Sequence, residues 1–152
     1  MASNDTSGNI SCIDRQDTEV YLYYHDPMIV YSCTDLIFAT KIRATAEALG
    51  IGSRPTRNAD ALRHRLDQID DGKLNEPVEG VLIDLELKEE ALGLIDQVKN
   101  HQASIPVVAF GSHVQMNILE SARQRGADFV MARSVFTETL PDILRRLNSR
   151  QA

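Results

Sequence analysis

Three observations on the sequence predict an α/β fold built on a doubly wound, five-stranded parallel sheet. Short apolar, β-prone runs alternate five times with amphipathic stretches of helical period between Met28 and Arg150. The first, third and fourth runs are almost continuously apolar, as strands covered by helices on both faces must be. Pro55 interrupts the second run, and proline in a sheet is confined to edges, strand starts or bulges. An edge position for the second strand gives the order 2-1-3-4-5, the flavodoxin-like three-layer arrangement.

The elements follow in turn. Residues 1–18 are dominated by Ser, Asn, Asp, Thr and Gly and read as a flexible tail. In residues 19–27, Glu19–Tyr24 (EVYLYY) is short, aromatic and β-prone before His25-Asp26-Pro27 breaks it. It is an extra strand or a segment packed over the sheet, and the sequence leaves both open. Met28–Cys33 is the first strand, followed by a helix from Leu36 to Leu49 with Phe38, Ile42, Ala46 and Leu49 on one face and Gly50 as its stop. Ile51–Thr56 is a weaker second strand. The second helix uses Leu62, Leu66 and Ile69, ends at Asp71-Gly72, and is followed by a loop over Lys73–Pro77.

Val78–Asp84 is the third strand, and Glu89–His101 the third helix, with Ala91, Ile95 and Val98 inward. Ile105–Gly111 is the fourth strand. The fourth helix runs from Val114 to Arg125, with Val114, Ile118 and Ala122 inward and Gly126 at its C′ position. Asp128–Ala132 is the fifth strand. The last helix carries Leu140, Ile143, Leu144 and Leu147, with Pro141 expected in its first turn, where proline is tolerated.

Bulk properties narrow the function. A length of 152 residues is one domain's worth. The formal charge of −6 argues against a nucleic-acid-binding surface, and the basic residues form no stripe in the sequence that would override it. Cys12 and Cys33 are too few for a disulfide framework and form no CxxC pair, and Cys33 reads as a buried reduced thiol. There is no basic, apolar leader and no apolar run near the roughly 20 residues of a membrane helix, so a cytoplasmic location is expected. No phosphate-cradling glycine loop, no histidine pair at metal-ligand spacing and no serine nucleophile elbow is present.

In open parallel sheets, chemistry gathers at the carboxyl ends of the strands, and the third strand ends on an aspartate, Val81-Leu82-Ile83-Asp84. From about residue 28 to 150 the chain resembles the receiver domain of bacterial two-component response regulators. The residues that carry the resemblance are Leu82-Ile83-Asp84-Leu85, Ile105-Pro106-Val107-Val108-Ala109-Phe110 and Gly126-Ala127-Asp128-Phe129-Val130. The resemblance implies that Asp84 stands at the phosphoacceptor position. It implies an acidic pair for Mg²⁺ after the first strand, where this chain has Ser32-Cys33-Thr34-Asp35 and leaves Asp35 as metal candidate or helix cap. It implies a hydroxyl ending the fourth strand, where Gly111 stands and Ser112 follows, as phosphate contact or helix cap. It implies Lys-Pro ending the fifth strand, where Arg133-Ser134 stand. Arg133 is a phosphate-contact candidate, a solvated arginine, or a standing partner of Asp84. His113 reads as a solvated loop residue. Glu86, Glu89 and Glu90 add negative charge to the loop after Asp84.

The expectation is a stand-alone receiver-like signalling protein with an atypical, degenerate phosphorylation site. It would be an interaction module rather than an enzyme, bind no resident cofactor with Mg²⁺ left open, and touch neither nucleic acid nor membrane. Partners implied by the resemblance are a histidine kinase or other signalling proteins, and a second copy through the fourth helix, fifth strand and fifth helix. The alternative is a phosphorylatable regulator that accepts phosphate on Asp84, with Asp35 at the metal. A third reading is a flavodoxin-like module for a small ligand such as a nucleotide.

Overall fold

The computed structural model describes residues 28–70, 73–74 and 76–149. The expectations for residues 1–27, including Glu19–Tyr24, and for Asp71-Gly72 lie outside them. The elements are β1 (Met28–Ser32), α1 (Leu36–Ala48), β2 (Gly52–Pro55), α2 (Ala59–Leu66), β3 (Ile69–Asp70), β4 (Lys73–Leu74), β5 (Val78–Asp84), α3 (Glu89–His101), β6 (Val107–Gly111), α4 (Met116–Gln124), β7 (Phe129–Ala132) and α5 (Arg133–Ser149). A 3₁₀ turn, Leu85–Leu87, joins β5 to α3. The main sheet is parallel in the order β2-β1-β5-β6-β7, which is the predicted 2-1-3-4-5 with β2 at an edge.

Alternation along the central strands divides the core in two. Val30, Val81, Ile83, Val107 and Ala109 face the layer that contains Leu62 and Leu66 of α2, Ile95 and Val98 of α3, and Leu119 of α4. Ile29, Tyr31, Leu82, Val108 and Phe110 face Ile42 of α1 and Phe136, Leu140 and Leu144 of α5. Both faces are covered, which is why β1, β5 and β6 carry so few polar residues.

Helix ends follow local chemistry. Gly50 (φ +73°) follows α1: its N–H donates to Glu47 O, and that of Ile51 to Ala46 O. Gly126 (φ +105°) ends α4 in the same way, with Gly126 N donating to Arg123 O and Ala127 N to Ala122 O. Each is a Schellman closure that consumes two orphan carbonyls. At the amino ends of β6 and β7, Lys99 Nζ donates to Ala103 O, Ile105 O and Asp128 Oδ2 at 3.0, 2.8 and 2.6 Å. Asp128 Oδ2 also accepts from Val107 N at 2.7 Å. Asp128 is therefore a strand clasp, far from the carboxyl ends.

Three expectations are corrected. The second helix stops at Leu66, and Ile69 lies beyond it in β3, which pairs antiparallel with β4 (Ile69↔Leu74) inside the expected loop. Gln68 at φ +60° turns the chain out of the helix before Ile69 is reached. The fourth helix begins at Met116, so Val114 lies in the preceding turn and is 73% exposed rather than inward. The last helix starts directly off β7 at Arg133, which makes Pro141 an interior residue. Proline there has no N–H to give the carbonyl of Thr137, a loss offset by the buried Phe136, Leu140, Leu144 and Leu147 on the same helix. No helix among the described residues is long and apolar enough to cross a membrane.

Candidate functional site

β1, β5, β6 and β7 bring their carboxyl ends together, and Asp84 lies at their centre, completely buried. A buried carboxylate must be hydrogen-bonded or paired, and this one is both. Its Oδ1 accepts from Glu86 N at 3.0 Å, capping the 3₁₀ turn. The same oxygen accepts from Arg133 Nη2 at 2.9 Å, while Oδ2 accepts from the thiol of Cys33 at 3.4 Å. Both carboxylate oxygens are engaged.

Arg133 is held from several sides. Its Nη2 also lies 3.8 Å from Glu86 Oε2. Its guanidinium sits 5.2 Å from the ring centroid of Phe38 and 5.8 Å from that of Phe110. Phe110 in turn stacks on Phe136 with centroids 4.0 Å apart. An arginine over aromatic faces beside a carboxylate gains cation–π attraction as well as charge pairing. Phe38 was legible only as a core-facing helix position; its place beneath Arg133 follows from α1 and α5 lying on the same face of the sheet.

The end of β1 divides two roles between neighbours. Ser32 Oγ donates to Thr56 O at 3.2 Å and lies 2.8 Å from Thr56 Oγ1, so its hydroxyl ties β1 to the end of β2. Cys33 takes the opposite direction, toward Asp84 and toward Asp35 O at 3.5 Å. Burial pushes the Cys33 thiol up to about 12, and the adjacent Asp84 carboxylate adds to the effect. The thiol is thus a proton donor to Asp84, not a thiolate.

The remaining predicted residues fall outside this shell. Asp35 is exposed and caps α1, with Oδ1 accepting from Ile37 N at 2.9 Å and Phe38 N at 3.3 Å. Ser112 Oγ accepts from Val114 N at 3.3 Å in a local turn. Ser112, His113, Arg133 and Ser134 line an open pocket beside the site. A side chain at Gly111 would crowd the turn after β5: a Cβ placed there would lie 3.0 Å from Leu85 Cβ, which must give by a few tenths of an ångström. Leu85, completely buried, has taken that space.

This donor set does not fit a magnesium ion. A hard cation needs several free oxygens in one shell. Here both oxygens of Asp84 already accept hydrogen bonds, Ser32 turns to Thr56, Asp35 is spent on helix capping, and Cys33 offers a protonated sulfur. Among the described residues no three His, Cys, Asp or Glu side chains cluster as a metal site.

No protein-family model matches the sequence, and no curated protein matches it. Solved structures do match. A response regulator from Thermotoga maritima superposes with a TM-score of 0.63 at 17% identity, over 81% of this chain and 98% of its own. A response regulator receiver domain protein from Clostridium thermocellum gives 0.66 at 13%, over 82% and 96%. The chain has the receiver-domain fold. A response regulator from Burkholderia pseudomallei, solved with a phosphorylated aspartic acid, a calcium ion and citrate, gives 0.61 at 20% identity, over 82% of this chain and 70% of its own. At these identities the likeness is one of fold. In this receiver fold the carboxyl-end cleft is closed over Asp84 by Arg133 and Cys33.

Proposed function

We propose that the chain is a receiver-like signalling module that works through protein contacts, with Asp84 kept as a structural anion. The observation that carries this reading is the closed shell around Asp84, made by Arg133, Cys33 and the Glu86 amide. A carboxylate with both oxygens engaged and an arginine paired to it is a poor nucleophile toward a phosphodonor, and Glu86, Glu89 and Glu90 repel an incoming phosphate. On this reading the chain performs no catalysis.

Exposed apolar side chains support the interaction role. Leu36 and Ile37 are each 83% exposed where α1 starts, and Met116 is 67% exposed where α4 starts. On the edge formed by β7 and α5, half-exposed Phe129 and Val135 flank a pocket of about 290 Å³ that Ile143 also lines. This second surface is where a second copy or a signalling partner would dock, a histidine kinase among the classes the fold implies.

The test is incubation with Mg²⁺ and acetyl phosphate, followed by intact-mass and peptide mass spectrometry. No phosphate on Asp84 is expected. The second reading, a regulator phosphorylated on Asp84, draws its support from the neighbour solved with a phosphorylated aspartate. An adduct that disappears in Asp84→Asn would establish it and overturn the first.

A further inference from the structure

The fold gathers charge where the edge strand β2 ends, two strands across the sheet from β5 and Asp84. Residues 53–65 carry four arginines and a histidine against one aspartate, in a chain whose totals are 16 Lys and Arg against 22 Asp and Glu. The only acid in the segment, Asp60, is taken by Arg63 at 3.0 Å. Arg65 stands 3.8 Å from Glu76. Among the described residues no carboxylate lies within ion-pair distance of Arg54 or Arg57, and both are exposed.

Geometry puts these cations on one surface. β2 is a sheet edge, and Arg54 pairs in register with Val30, whose side chain packs in the layer of Leu62 and Leu66. Arg54 therefore leaves the sheet on the α2 side. Arg57, Asn58, His64 and Arg65 line a shallow pocket of about 290 Å³ where β2 passes into α2.

We propose that this β2–α2 corner is a docking surface for an acidic segment of a partner protein, a short run of Asp and Glu. Charge complementarity carries the assignment, and the reading is independent of the one made for Asp84. A nucleic acid fits less well: its phosphates continue every few ångströms past the patch, over a chain that outside residues 53–65 is strongly acidic. A single small anion also fits less well, because Arg57 and Arg65 line the pocket while Arg54 is not part of its lining. The competing account is that Arg54 and Pro55 only blunt an open sheet edge.

The experiment is fluorescence anisotropy of the full chain with a labelled peptide of alternating Glu and Ser, against the Gln-Ser peptide and a single-stranded oligonucleotide of equal charge. Binding of the acidic peptide alone is expected, weakened about tenfold in Arg54→Glu/Arg57→Glu and about tenfold by raising salt from roughly 50 to 300 mM. Arg54→Lys/Arg57→Lys should keep most of the affinity, and Arg123→Glu, on α4, all of it. Circular dichroism melts check that each variant is folded. Equal binding of the neutral peptide, tighter binding of the oligonucleotide, no binding by the folded wild type, or an unchanged affinity in the double glutamate variant would each overturn the proposal.

Discussion

Arg133 Nη2 donates to Asp84 Oδ1 across 2.9 Å, although 49 residues separate the two in sequence. Asp84 is wholly buried and the Arg133 side chain is 29% exposed, so the pair is desolvated on one side only. Removing Arg133 strands a buried anion, the costly half of such a pair. Arg133→Ala is expected to lose about 2–3 kcal/mol in urea denaturation, less than a fully buried pair because solvent reaches the guanidinium. Adding Asp84→Asn to Arg133→Ala should recover part of the loss, since the neutral amide tolerates the missing partner. A double variant no more stable than Arg133→Ala would mean that the arginine acts by packing on Phe38 and Phe110.

Cys33 gives a pH-dependent prediction. Burial, reinforced by Asp84, pushes its thiol from an ordinary 9.0 to about 12. The folded state therefore favours the protonated form. The stability contributed is complete below about pH 9 and is lost as pH climbs toward 12. In a Cys12→Ser background, alkylation by iodoacetamide at pH 8–9 should run roughly two to three orders of magnitude slower on native protein than in urea. Equal rates, with the protein shown to be folded, would mean that the thiol is not buried beside the carboxylate.

Adding charge beside Asp84 should create a metal response. Cys33→Asp places a second carboxylate beside Asp84, and without a cation the two repel, at a cost of about 1–2 kcal/mol. Millimolar Mg²⁺ should then raise the Tm of the variant by about 3–6 °C while leaving that of the wild type unchanged. A wild-type shift as large as the variant's would contradict the engaged donor set described for Asp84.

The parts of the fold read correctly from sequence are those where a local rule and the tertiary context agree. Val78–Asp84 and Glu89–His101 have their expected bounds, because a nearly continuous apolar run and a 3.6-residue period point the same way as burial on both faces. Gly50 and Gly126 stop their helices through the left-handed conformation that glycine supplies cheaply. Pro141 and Ile69 were misplaced because each fits its local pattern while chain geometry elsewhere decides: α5 begins without a loop, and Gln68 has already left the helix. At the site, the Asp84–Arg133 pairing was legible as one of three options from opposite charges at the ends of two converging strands. The direction of the Cys33 thiol was not, since nothing in Ser32-Cys33 says which neighbour turns toward β2 and which toward β5.

Leu85 and Gly111 supply the last prediction. The residue after Asp84 occupies the space that a side chain at the end of β6 would need, with Leu85 Cβ 3.0 Å from a Cβ built on Gly111 and Leu85 Cδ1 at 3.5 Å. Because the nearest atom is a Cβ, no change of rotamer relieves the contact; the backbone of the turn must move. Gly111→Ser should therefore cost about 1–3 kcal/mol, and Gly111→Ala nearly the same, as the hydroxyl is not what clashes. Truncating Leu85→Ala leaves the offending atom in place, so Gly111→Ser should remain costly in that background, with most of the penalty surviving in a urea-denaturation cycle. A penalty that vanishes with Leu85→Ala would place the conflict at the outer leucine carbons instead. In that case Gly111→Ser/Leu85→Ala would be the variant in which to test for phosphate on Asp84.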